Sequence, residues 1–164
     1  PGIGSRLFGL VQLLIALWLV RDDIPLRMIR TDGLRRYNAA ALLAGYFWLA
    51  LGGATWLVTG GHAGTVAYDV VIHTTFLGFG VSMIMAHAPI IFPTVLGRPL
   101  PYRPYFYVPL TTLHVGLAIR VVGDFMGQGV VWQVGSVLTV VSLVFFLIAS
   151  VTSVVTHNPE KVAA

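Results

Sequence analysis

Five apolar stretches dominate this chain and leave it few folds to choose from. They run from Leu7 to Val20, from about Asn38 to Thr59, from about Thr65 to Leu96, from Pro104 to about Gly123, and from Val130 to Val155. Spanning a hydrocarbon core of about 30 Å takes roughly 20 helical residues. Inside that core only helices and closed barrels satisfy every backbone polar group, so runs of this length predict helices. The first stretch is short by that measure and draws on residues 2–6 for its remaining length. The third is long enough to tilt, or to end near Pro89 and Pro93 in a kinked or re-entrant tail, because proline removes a backbone donor. The expected fold is all-α: one polytopic transmembrane helical bundle of about five helices over residues 1–164.

Composition agrees. Of the 164 residues 57% are hydrophobic and 10% charged, with a mean hydropathy of +0.85, whereas soluble domains carry about 25% charged residues. The first partner expected is therefore the lipid bilayer. Cysteine is absent, which excludes disulfides, thiolate metal sites and c-type haem attachment. A pI near 9.9 suggests nucleic acid at first sight. The basic residues are spread over loops, however, and no nucleic-acid partner is expected. Arg21, Arg27, Arg30, Arg35 and Arg36 lie between the first two helices, Arg98 and Arg103 between the third and fourth, and Lys161 after the fifth. All fall on one side of an alternating topology, with Arg6 opposite and Arg120 near the end of the fourth helix. The positive-inside rule then puts the N-terminus outside and the C-terminus in the cytoplasm of a bacterial inner membrane. The opening Pro1-Gly2-Ile3-Gly4-Ser5-Arg6 has no clear signal-peptide cleavage site, which fits a processed chain or part of a longer one.

Within this frame the histidines carry the chemistry. His73 and His87 share the third stretch, and 14 α-helical steps bring them within roughly 40° of one face and about 21 Å apart. Gly80 lies midway and permits close approach of a flat cofactor or another helix. Counted from Val95, His87 is roughly 12 Å deep; counted from Pro104, His114 is roughly 15 Å deep on the next helix. The expectation is one shared site between His87 and His114, with His73 as a second-site residue. Neutral imidazole suits iron, copper and zinc, and polar packing is the plainer alternative. Near His73 in depth are Arg120 and Asp124, four apart on one helix face and able to pair. Arg120 is alternatively a holder for a haem propionate. Met83-x-Met85-x-His87 offers soft ligands to copper(I), with Met83 on the histidine's face and Met85 turned away.

Other features are less directive. Asp69 either starts a proton path to His73 or is placed by the helix dipole. Tyr102, Tyr105, Phe106 and Tyr107 read as an interfacial belt, or as the floor of a pocket. His62 and His157 fall in loops, as solvated residues. Gly60-x-x-x-Gly64 and Gly123-x-x-x-Gly127 sit at helix ends, where a packing role has little support. The fifth stretch, with Ser136, Thr139, Ser142 and Ser150, is expected only to pack.

The run from His73 through His87-Ala-Pro-Ile-Ile-Phe-Pro to Gly97-Arg98-Pro99, followed by Leu113-His114 to Arg120 and Asp124, resembles part of the NnrS-like membrane proteins over roughly residues 40–125. That family is described as haem- and copper-containing, is linked to nitric-oxide metabolism, and is distantly likened to the haem-copper oxidases. The resemblance implies ligation by His73, His87 and His114 with Arg120 in support. Two departures stand against a complete catalytic centre. The family has about twelve helices, and its glycine-histidine stretch appears here only as Leu96-Gly97-Arg98-Pro99.

The functional expectation is a membrane subunit that binds b-type haem (heme b), or haem and copper, among other membrane subunits of a respiratory or electron-transfer assembly. Whether it is itself an oxidoreductase component stays open. The rivals are a non-redox structural subunit of a larger complex and, more weakly, a small transporter.

Overall fold

In a computed structural model, which describes residues 2–60 and 63–156, the chain is all-helical among the described residues. His62, His157 and Lys161 lie outside them. The elements are α1 (Ile3–Asp22), a short α2 (Pro25–Met28), α3 (Gly33–Thr59), α4 (Val66–His73), a π-helical segment (Thr74–Val81), α5 (Ser82–Leu96), a 3-10 turn (Pro104–Phe106), α6 (Tyr107–Met126) and α7 (Gly129–Val155). Five helices are long and apolar enough to cross a membrane: Ile3–Asp22, Gly33–Thr59, Val66–Val95, Pro104–Met126 and Gly129–Val155. This is a multi-pass membrane protein. Its outward faces carry large apolar side chains such as Phe8, Trp18, Phe47, Phe76 and Leu147, as a lipid-facing surface requires.

Two antiparallel hairpins, α1 with α3 and α6 with α7, bracket the third span. Glycine lets each close. A Cβ on Gly9 would stand 2.5 Å from the backbone nitrogen of Leu57, and one on Gly123 would stand 2.5 Å from that of Trp132. Such close approach is how helices associate where lipid removes the hydrophobic drive. The other members of the nominal motifs act differently. Gly60 and Gly127 end α3 and α6 in the left-handed region (φ 73° and 63°), as C-terminal caps.

The third span departs from the expectation twice. First, α5 runs on through Pro89 and Pro93 to Leu96 and forms no re-entrant tail. The buried Asn38 amide, oriented with its nitrogen toward α5, donates to the Ala86 carbonyl at 3.0 Å and ties this stretch to α3. Second, residues 74–81 form a π-helix. A π turn holds one residue more than an α turn, so His87 is rotated about 100° further and ends roughly 140° from His73 instead of 40°. Hydroxyls favour the wider turn by taking backbone carbonyls. Ser82 donates to Gly78 at 2.5 Å and Thr74 to Val71 at 3.1 Å, while Gln12 of α1 reaches Thr75 at 3.2 Å. Gly78 then admits Trp48, whose Cβ would lie 2.5 Å from an added methyl.

The core forms two clusters. One gathers Tyr37, Met85, Phe106 and Leu113, the other Trp48, Val70, Leu117 and Val121. The aromatic run therefore does more than line an interface. Phe106 is fully buried, and Tyr102 and Tyr107 pack their rings 5.7 and 5.3 Å from Tyr37.

Candidate functional site

At the end of the bundle opposite the arginine-rich loops, α4, α6 and α7 converge on a polar cluster. Asp69 and His73 lie in the first two turns of α4, Arg120 and Asp124 in the last two of α6, and Trp132 and Ser136 in the first two of α7. At the helical rise, His73, Arg120 and Ser136 all stand roughly 10 Å inside their helix ends.

Arg120 is the hub. It is 6% exposed. One terminal nitrogen donates to both Asp69 carboxylate oxygens, at 3.0 and 2.9 Å, and the other to the Ser136 hydroxyl. Its guanidinium lies 4.4 Å from the Trp132 ring centroid, a cation–π distance. The expected partner was Asp124, four residues along α6. The ion pair is instead made with Asp69 across the helix interface, because α4 packs on this face of α6. Asp69 and Ser136 thus each engage one terminal nitrogen, while Nε is buried without a hydrogen-bond partner among the described residues. Asp124 adjoins the Asp69 carboxyl within hydrogen-bonding reach, with Oδ2 buried and unpartnered. Ser136, expected only to pack, holds the hub.

The histidines separate by their hydrogen bonds. In His73, Nδ1 lies 2.8 Å from the Asp69 carbonyl oxygen and 3.3 Å from its carboxylate. A carbonyl only accepts, so Nδ1 carries a proton, and in the neutral imidazole Nε2 is the nitrogen with the lone pair. That nitrogen has no hydrogen-bond partner among the described residues, and the ring lines a cleft of about 440 Å³ with Tyr68, Ile72, Asp124 and Trp132. His87 is held alike, with Nδ1 2.8 Å from the Met83 carbonyl. Its side chain is exposed and lines a shallow lateral groove of about 290 Å³ with Met83, Ile84 and Phe92. Met85, in contrast, is fully buried.

His114 differs from both. The Trp48 indole N–H, which can only donate, reaches His114 Nδ1 at 2.8 Å. The imidazole is thereby a neutral Nε2–H tautomer with its coordinating lone pair used. The two rings are nearly parallel, at 13° with their centroids 6.5 Å apart, as an edge-to-edge hydrogen bond requires, and Nε2 is buried without a partner. The structure does not bring His87 and His114 together: α5 leans on α3 rather than on α6, and His87 turns outward. It does bring His73 to Asp69, Arg120 and Asp124. Reading the sequence missed Trp48, Trp132 and Ser136, whose partners are 66, 12 and 16 positions away.

Among the described residues, no three His, Asp or Glu side chains are grouped as a bare metal ion requires. Haem iron asks less, because the porphyrin supplies four nitrogens and the protein one or two. His73 is the residue that would hold it: its distal nitrogen is open, its proximal nitrogen is pinned by a carbonyl and a carboxylate, and a cleft lies beside it.

Comparison with curated proteins and with solved structures returned no match. Residues 1–155 match a family model described as domain of unknown function DUF8744, and the chain belongs to that family.

Proposed function

We propose that this protein is a haem-carrying subunit of a bacterial inner-membrane electron-transfer assembly, with His73 as the residue that would hold b-type haem. The observation that carries the reading is the fixed tautomer of His73 at the wall of a cleft, roughly 10 Å inside the bundle's end. His73 would hold the iron, Asp69 would orient the imidazole and strengthen it as a donor, and Arg120 would hold Asp69. The haem would supply one-electron chemistry. His87 is a second open donor on the lateral surface, where an imidazole facing lipid is costly. A neighbouring membrane subunit is the partner that would cover it. Copper at Met83 and His87 is the lesser candidate, since the groove supplies two donors. The arginine-rich side is assigned to the cytoplasm on the charge asymmetry alone.

Protein purified from haem-replete cells is expected to show a Soret band and bound iron. A preparation with no Soret absorption and no bound iron or copper overturns the proposal.

A second reading is favoured by the way Arg120 of α6 joins α4 and α7. Asp69 and Ser136 occupy its terminal nitrogens and Trp132 faces its guanidinium, so the cluster also serves as a clamp of α4, α6 and α7 in a non-redox accessory subunit. On that reading, substitutions at His73 alter assembly with partners and leave absorbance unchanged.

A further inference from the structure

At the opposite end of the bundle, a second polar cleft of about 430 Å³ lies between the start of α3 and the start of α6. Arg36, Tyr102 and Tyr107 line it, with Asp32 at its edge. The guanidinium and the two phenol hydroxyls make no hydrogen bond or ion pair with the protein among the described residues, and neither does the Asp32 carboxylate. Asp32 stands at the N-cap of α3 in extended backbone, four positions before Arg36. No ion pair forms between them. The cleft therefore presents three donors without an acceptor beside one acceptor without a donor.

Its depth is set by helix length. The 27 residues of α3 extend about 40 Å, against a hydrocarbon core of about 30 Å. The excess lies at the Arg35–Arg36 end, since the other end carries Trp56, Leu57 and Val58. The first turns of α3, and the cleft with them, stand in the headgroup layer. A phosphate is the acceptor that arginine and phenol donors suit. The carboxylate beside them calls for a cation that donates hydrogen bonds. One membrane component joins the two groups within a few bonds.

We propose that this cleft binds the headgroup of an ethanolamine phospholipid, its phosphate on Arg36, Tyr102 and Tyr107 and its ammonium on Asp32. Choline lipids carry the same phosphate and charge, but their quaternary nitrogen cannot donate, so they bind more weakly.

The test is native mass spectrometry of the delipidated full chain with added phosphatidylethanolamine or phosphatidylcholine of matched acyl chains. Retention of the ethanolamine lipid is expected to exceed that of the choline lipid about tenfold, the size of one charge-assisted hydrogen bond. Arg36→Gln should abolish retention of both, Tyr107→Phe should weaken both, and Asp32→Asn should bring the ethanolamine lipid down to the choline level. Arg98→Gln, which alters an exposed arginine outside the cleft, should change nothing. Equal retention of the two lipids by the unaltered protein overturns the proposal, as does retention unaffected by Arg36→Gln and Tyr107→Phe. Displacement of the lipid by inorganic phosphate would show a free-anion site and overturn it too.

Discussion

Removing either end of the Asp69–Arg120 pair should not cost the same, because the two ends differ in access to water. Arg120 has a side chain 7% exposed, while that of Asp69 is 34% exposed. Asp69→Ala leaves a buried guanidinium with Ser136 and the Trp132 face for company. An uncompensated buried charge costs about 3–5 kcal/mol, and the nearby Asp124 carboxyl puts the expected loss at about 3 kcal/mol. Arg120→Met leaves a carboxylate that water reaches, and methionine replaces much of the buried volume. That variant should lose about 1 kcal/mol, plus a similar amount for the cation–π contact. In the double variant neither the guanidinium nor the Asp69 carboxylate is left without the other, so its cost should fall below the sum of the singles by about 1–3 kcal/mol. The assay is equilibrium unfolding in mixed micelles, followed by helical circular dichroism for the four proteins. Arg120→Met costing more than Asp69→Ala, or strict additivity, would refute the argument that exposure sets the asymmetry.

Gly78→Ala should destabilise by about 1–3 kcal/mol through overpacking, because the new methyl would lie 2.5 Å from Trp48 Cβ; thermal unfolding measures this, and a neutral result would remove the wedge that steadies the π turn. Trp48→Phe should cost about 1–2 kcal/mol by stranding His114 Nδ1, whereas the pair Trp48→Phe with His114→Leu should recover part of that loss. Gly123→Leu should separate α6 from α7 and lower the melting temperature more than Gly127→Ala. The first glycine faces the Trp132 backbone at 2.5 Å and the second has open space, though its φ of 63° adds some strain.

The membrane architecture was legible because length and apolarity are local properties. Boundaries were less so: Leu34-Arg-Arg-Tyr37 reads as loop by polarity, yet α3 starts at Gly33 because it outgrows the hydrocarbon core. Placing His73 and His87 on one face assumed an unbroken 3.6-residue period. The signal against it was present in Thr74, Thr75, Gly78, Gly80 and Ser82, a density of hydroxyls and glycines that lets a helix widen. Pairing Arg120 with Asp124 followed from spacing alone, and the true partner lies 51 positions away. Depth matching of His87 with His114 failed for a similar reason. Depth is readable from helix ends, whereas the direction a ring faces depends on which helix packs where. Asp69 beside His73 was legible, since both lie on one helix four residues apart.

The central claim is that His73 is the ligand-bearing histidine and His114 a packing one. Dithionite-reduced minus oxidised spectra of the purified protein, His73→Ala and His114→Ala, at equal protein and with iron quantified, test it directly. The account predicts a b-type difference spectrum in the unaltered protein, its loss with the iron in His73→Ala, and its retention in His114→Ala. A spectrum that survives His73→Ala and disappears in His114→Ala would contradict it.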